Sequence, residues 1–148
     1  MTFQPWAISA AIAAVFIATH YLLLRAASGR VGDTLGALLL EGTAALGIAG
    51  YYLARGRFDT TTTTRPGVVY ACASGVAISV ASILIFNALR RGGPVASTGT
   101  LVLGGGVALS ALFAPMLFGD ALTTRRLVGV GLGVLGMVLL ATEPAAVR

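Results

Sequence analysis

Five mainly apolar stretches, separated by short polar breaks, run through the chain at about 5–27, 34–54, 66–89, 94–118 and 124–142. A helix needs roughly 20 apolar residues to cross the hydrocarbon core of a bilayer, so the pattern predicts five transmembrane α-helices. The breaks carry helix punctuation. Pro5, Pro66 and Pro94 stand where a first turn has no intrahelical N–H to lose, and Ser28-Gly29, Gly56 and Gly92-Gly93 follow predicted helix ends. Pro115, late in the fourth stretch, is expected to bend its last turn. No repeat of solenoid length and no linker divides the chain, so residues 1–148 read as a single transmembrane domain. The stretch from Trp6 to Leu24 has the apolarity of a signal peptide. It lacks a basic segment before it and is long enough to span, so it reads as the first helix.

Composition supports the same class. The chain is 57% hydrophobic and only 10% charged, against about 25% charged in soluble domains, and its mean hydropathy is +0.92. The net charge of +5 comes from ten arginines, no lysine and five acids. Nearly all the arginines lie between apolar runs, which suits loop anchors and not a nucleic-acid surface. Cys72 is the only cysteine, which leaves no disulfide or metal spacing, and it reads as a packing residue.

Five spans place Arg55, Arg57, Arg65, Arg125 and Arg126 on one side of the membrane and Arg25, Arg30, Arg90, Arg91 and Arg148 on the other. Lysine and arginine in short loops normally decide orientation, so an even split leaves little to fix the direction of insertion. Two oppositely oriented copies would reproduce the inverted repeat that many secondary transporters hold within one chain. The alternative is a partner that imposes one orientation. Gly129, Gly133 and Gly136 line one face of the fifth helix. Ala96, Gly99, Gly106, Ser110 and Ala114 fall near one stripe of the fourth. Such stripes let helix backbones approach closely, either between two copies or within one protomer, and the Gly104-Gly105-Gly106 run adds flexibility or a close crossing.

Glu41 is the most informative residue. It lies in the middle third of the second helix, where a charged side chain costs about 2.5–3.5 kcal/mol on insertion scales, and an intramembrane acid is a functional candidate by default. His20, the only histidine, lies on the first helix and is the side chain best suited to exchanging a proton near neutral pH. A short turn at about Ser28 to Asp33 sets the first two helices antiparallel, which places His20 and Glu41 at similar depth, roughly 12 Å from the turn. The two are expected to pair as a proton-responsive site. In the structural alternative, each is tethered to a backbone carbonyl or to a threonine such as Thr19 or Thr43. Asn87 lines a polar path or makes an interhelical hydrogen bond. Tyr51, Tyr52 and Trp6 read as interfacial anchors, with stacking on a cationic substrate as a second role for the tyrosines. Arg25 is placed to snorkel. No catalytic constellation, metal spacing or phosphate loop appears, so neither an enzyme nor a cofactor is expected.

Three segments carry a family resemblance: Ala27-Ser28-Gly29-Arg30 through Leu35-Gly36-Ala37-Leu38; Ala88-Leu89-Arg90-Arg91-Gly92-Gly93-Pro94-Val95; and Phe118-Gly119-Asp120-Ala121-Leu122-Thr123, followed by Gly131 and Gly136. Over nearly its whole length the chain resembles a single five-helix EamA-type unit of the drug/metabolite transporter superfamily. The family usually shows Glu where Asp120 stands, and Asp120 is expected to cap the fifth helix. Related small multidrug resistance proteins carry a glutamate in their first helix, where this chain has His20. The resemblance implies an all-α membrane protein forming one half of a ten-helix bundle. It further implies a homodimer, antiparallel, with its site at the midplane between helices one to four. The expected function is proton-coupled transport of small metabolites or organic cations across the cytoplasmic membrane, with lipid, a small-molecule substrate and a second copy as partners. A non-transporting accessory subunit and a component of a flippase for lipid-linked intermediates are the alternatives.

Overall fold

The computed structural model describes residues 5–55, 63–121 and 123–142. The side chains of Pro5 and Trp6, together with Gly56, Arg57, Asp59 and Arg148, lie outside the described residues. Five helices form: α1 (Pro5–Ala27), α2 (Asp33–Ala54), α3 (Arg65–Arg90), α4 (Val95–Phe118) and α5 (Thr124–Ala141). Their ends differ from those expected by at most one residue, and each is long and apolar enough to cross a membrane. No strand forms among the described residues. The chain is an all-α, multi-pass membrane protein.

Local chemistry sets the helix ends. Gly32 and Pro94 take extended backbone immediately before α2 and α4. Gly119 closes α4 in the left-handed conformation, φ 70°, with its N–H donating to the Pro115 carbonyl at 3.1 Å, a geometry that favours glycine. Thr123 caps α5: its hydroxyl oxygen accepts the Arg126 backbone N–H at 3.2 Å. Asp120, expected as that cap, instead pairs with the Arg126 side chain at 3.1 Å. It stands too far back along the chain from the first orphan N–H groups, while Thr123 is adjacent to them.

The helices fall into two compact units. Ala26–Arg90 holds the α2/α3 hairpin, and Met1–Arg25 with Arg91–Arg148 holds α1, α4 and α5. In the hairpin, the ring of Phe86 lies over Gly36 so closely that a Cβ added there would stand 2.8 Å from Cε1 and Cζ. Phe86, Gly36 and Ala37 are buried. In the other unit, α4 and α5 cross at Gly104, where an added Cβ would lie 2.7 Å from the Met137 sulfur. A Cβ added at Gly99 would stand 3.6 Å from the Tyr21 ring, so α1 and α4 approach each other there. Small residues thus bring the helix backbones together, as in bundles that gain no hydrophobic drive from lipid. Large apolar side chains such as Leu46, Ile48, Val76 and Leu112 point outward. An apolar surface of this extent matches hydrocarbon as its solvent.

Candidate functional site

The candidate site belongs to the α2/α3 hairpin and is fixed by its register. At one end Asp33, in the first turn of α2, accepts from the guanidinium of Arg90, in the last turn of α3. Arg90 Nε reaches Oδ1 at 2.8 Å and Oδ2 at 3.0 Å, and Nη2 reaches Oδ2 at 2.7 Å. Asn87, three residues earlier and so on the same face of α3, donates its Nδ2 hydrogen to Asp33 Oδ2 at 2.9 Å. The acid sits at the positive end of one helix dipole and the arginine at the negative end of the other, so both dipoles favour the pair.

Eight residues along α2 from Asp33 stands Glu41, and eight residues back along α3 from Arg90 stands Ser82. At a rise of 1.5 Å per residue, both lie about 12 Å deeper than the ion pair. There the Ser82 hydroxyl donates to Glu41 Oε1 at 2.5 Å. Ser82 is buried and Glu41 half-buried. The bond ties the Glu41 carboxyl group on α2 to Ser82 on α3 inside the span.

The other expected site residues make contacts of their own. His20 is half-buried in the unit of α1, α4 and α5, edge-on to the neighbouring Tyr21 ring with centroids 5.6 Å apart. Glu41 lies in the hairpin unit. The threonines proposed as tethers for Glu41 and His20 return to their own helices. Thr19 donates to the Val15 carbonyl at 3.0 Å, and Thr43 donates to those of Leu39 and Leu40 at 2.8 and 3.0 Å. A hydroxyl one turn from a helix carbonyl has that acceptor at hand and needs no partner across the bundle. Tyr51 is exposed, and its ring carries the Arg55 guanidinium 5.6 Å from the centroid, an intrahelical cation–π contact. Gly99 belongs to the α1–α4 contact inside one protomer. An added Cβ at Gly106, Gly129, Gly133 or Gly136 would meet nothing within 4 Å. Among the described residues no group of three or more His, Cys, Asp or Glu side chains is placed to hold a metal.

Ser82 and Asp33 are the residues that sequence reasoning missed. The signal for both is the matched spacing: two polar positions eight residues apart on α2 answer two eight residues apart on α3. The ion pair is testable as a clamp on the hairpin. Arg90→Gln and Asp33→Asn are each expected to lower the Tm in detergent, and the double variant to lose less than the two losses together, because the partners share one interaction. Fully additive losses in a thermal-melt cycle would show that the pair does not hold α2 to α3. No known protein family, curated protein or solved structure matches this chain.

Proposed function

We propose that the protein is a secondary transporter of small metabolites or organic cations, coupled to protons, that works as an antiparallel homodimer in the cytoplasmic membrane. The observation that carries the reading is the Glu41–Ser82 pair, a carboxylate held by a hydroxyl about 12 Å down a membrane-spanning hairpin. A charge at that depth opposes insertion, and intramembrane acids mark ion and proton pathways. The carboxylate also supplies the counter-charge an organic cation needs, so proton and cation compete for one group, and with alternating exposure of that group to the two sides the competition couples their movements in opposite directions.

The even division of arginines between the two sides supports dual insertion. The open glycine positions of α5, at Gly129, Gly133 and Gly136, give a second copy a surface for close approach. The resemblance to a single EamA-type unit agrees with a protein that needs a second copy to complete its bundle. The test uses purified protein in liposomes with a trapped pH-sensitive dye. External methyl viologen, an impermeant organic dication, is expected to drive protons out and make the interior alkaline. An interior pH that stays at the level of protein-free vesicles across cation, amino-acid and metabolite probes would contradict the reading.

A further inference from the structure

The α2/α3 hairpin is closed at one end and open at the other, and Glu41 stands where the two conditions meet. From the Asp33–Arg90 pair as far as Glu41 and Ser82 the helices are packed: Gly36, Ala37, Ser82, Ile85, Phe86 and Leu89 are all buried. Beyond Glu41 the packing stops. Every residue of α2 from 42 to 54 and of α3 from 65 to 80 is exposed. A Cβ added at Gly42, Gly47, Gly50 or Gly75 would meet nothing within 4 Å, so neither helix covers the other there.

The closed end is apolar between its two polar contacts. Residues 35–40 of α2 and 83–86 of α3 carry no polar side chain, and these segments fill most of the roughly 12 Å between the ion pair and Glu41. Phe86 lies midway, four residues from Arg90 and four from Ser82, with its ring seated on Gly36 and only 3% exposed. On the outer side of the ring Asp33 holds both Asn87 and Arg90, which ties the helix ends together over it. A water molecule or an ion entering this layer would give up its hydrogen bonds and find no side chain to replace them, so the layer is a barrier to both.

We infer that Phe86 is a gate: seated on Gly36, it closes Glu41 off from the Asp33–Arg90 side, and Glu41 exchanges its proton or cation with the side on which α2 and α3 part. The inference rests on the proposed role of Glu41 as the exchanging group and adds the residue that blocks one side of it. Access from the closed side requires the ring to leave Gly36. The test uses the full-length protein in liposomes holding a pH gradient, with potassium and valinomycin to balance charge and no organic cation present. Phe86→Ser removes the ring and leaves a hydroxyl in the layer, which opens Glu41 to both sides. The gradient is expected to collapse roughly tenfold faster than with the unaltered protein, a change equivalent to about 1.4 kcal/mol of barrier. Adding Glu41→Gln to Phe86→Ser is expected to return the leak to the unaltered rate.

A gradient that lasts as long with Phe86→Ser as with the unaltered protein would overturn the inference. So would a leak that Glu41→Gln leaves intact, since protons would then bypass the carboxyl group. Either result leaves the methyl viologen response of the unaltered protein free to succeed. Conversely, a Glu41-dependent leak in Phe86→Ser, without any methyl viologen response, would keep the gate and discard the transporter. If Phe86→Ser does not fold, a pair of cysteine variants decides. In a Cys72→Ser background, Ala37→Cys and Ala45→Cys stand four residues to either side of Glu41, the first on the buried side and the second on the exposed one. A water-soluble cationic methanethiosulfonate is expected to modify the Ala45→Cys protein roughly tenfold faster than the Ala37→Cys protein, and equal rates would overturn the inference.

Discussion

The Glu41→Gln variant is expected to release no protons when methyl viologen is added to its liposomes, while melting at the same temperature as the unaltered protein. The amide is nearly isosteric with the carboxylate, and its carbonyl oxygen still accepts the Ser82 hydroxyl, so the α2–α3 contact survives. What disappears is a group able to exchange a proton, and with it the coupling. Glu41→Asp separates geometry from charge, because the shorter side chain withdraws the carboxylate from Ser82 while leaving it titratable. Partial activity is expected there. Proton flux by Glu41→Gln equal to that of the unaltered protein would reduce the pair to a structural tether.

The largest loss of stability is expected from Gly36→Leu. Even a methyl group at this position would start 2.8 Å from two carbons of the Phe86 ring, and Phe86 is only 3% exposed, so the ring has little room to yield. Overpacking of this kind costs about 1–3 kcal/mol, and the leucine adds three further carbons to the same crowded place. Gly36→Ala is expected to fall near neutral, because the helical preference of alanine, about 1 kcal/mol over glycine, offsets much of the clash. Thermal melting in detergent distinguishes the two variants. Adding Phe86→Ala to Gly36→Leu is expected to restore part of the loss, since the cavity accepts the new side chain. A Gly36→Leu protein as stable as the unaltered one would mean that α2 and α3 do not pack through this contact.

The sequence shows the helices far more clearly than it shows what touches what. Span limits are legible because the bilayer sets the length of each apolar run, and Pro and Gly mark where a run must stop. Glu41 is legible for the same reason: an acid in such a run is anomalous whatever surrounds it. Its partner is not. Helices that are apolar on every face give no period from which to read which side meets a neighbour. The register of α2 on α3 depends on the chain between Ala54 and Arg65, whose threonines carry no geometric code. Ser82 therefore looks like any other small residue of α3, and Asp33 like a turn residue, until the hairpin aligns them with Glu41 and Arg90.

Small residues raise a related ambiguity. Gly99 and Gly129 have the same sequence character, yet Gly99 lies under the Tyr21 ring while Gly129 faces open space. Periodicity detects that a backbone surface is smooth but not whose surface meets it. At the start of α5 both Asp120 and Thr123 are competent caps by type. The position of Thr123 directly before the first helical residue decides between them, and the arginine that follows then engages Asp120.

The most direct test of the account is the orientation of the chain in the membrane. Reporters active only in the cytoplasm or only outside it, fused in turn to the carboxyl terminus, read which side that terminus occupies. Comparable activity from both is the predicted result, because five arginines on each side leave insertion undirected and an antiparallel pair needs both orientations. Activity from one reporter alone would contradict the antiparallel homodimer and would mean that a chain with one fixed direction works with a different partner or as an accessory subunit.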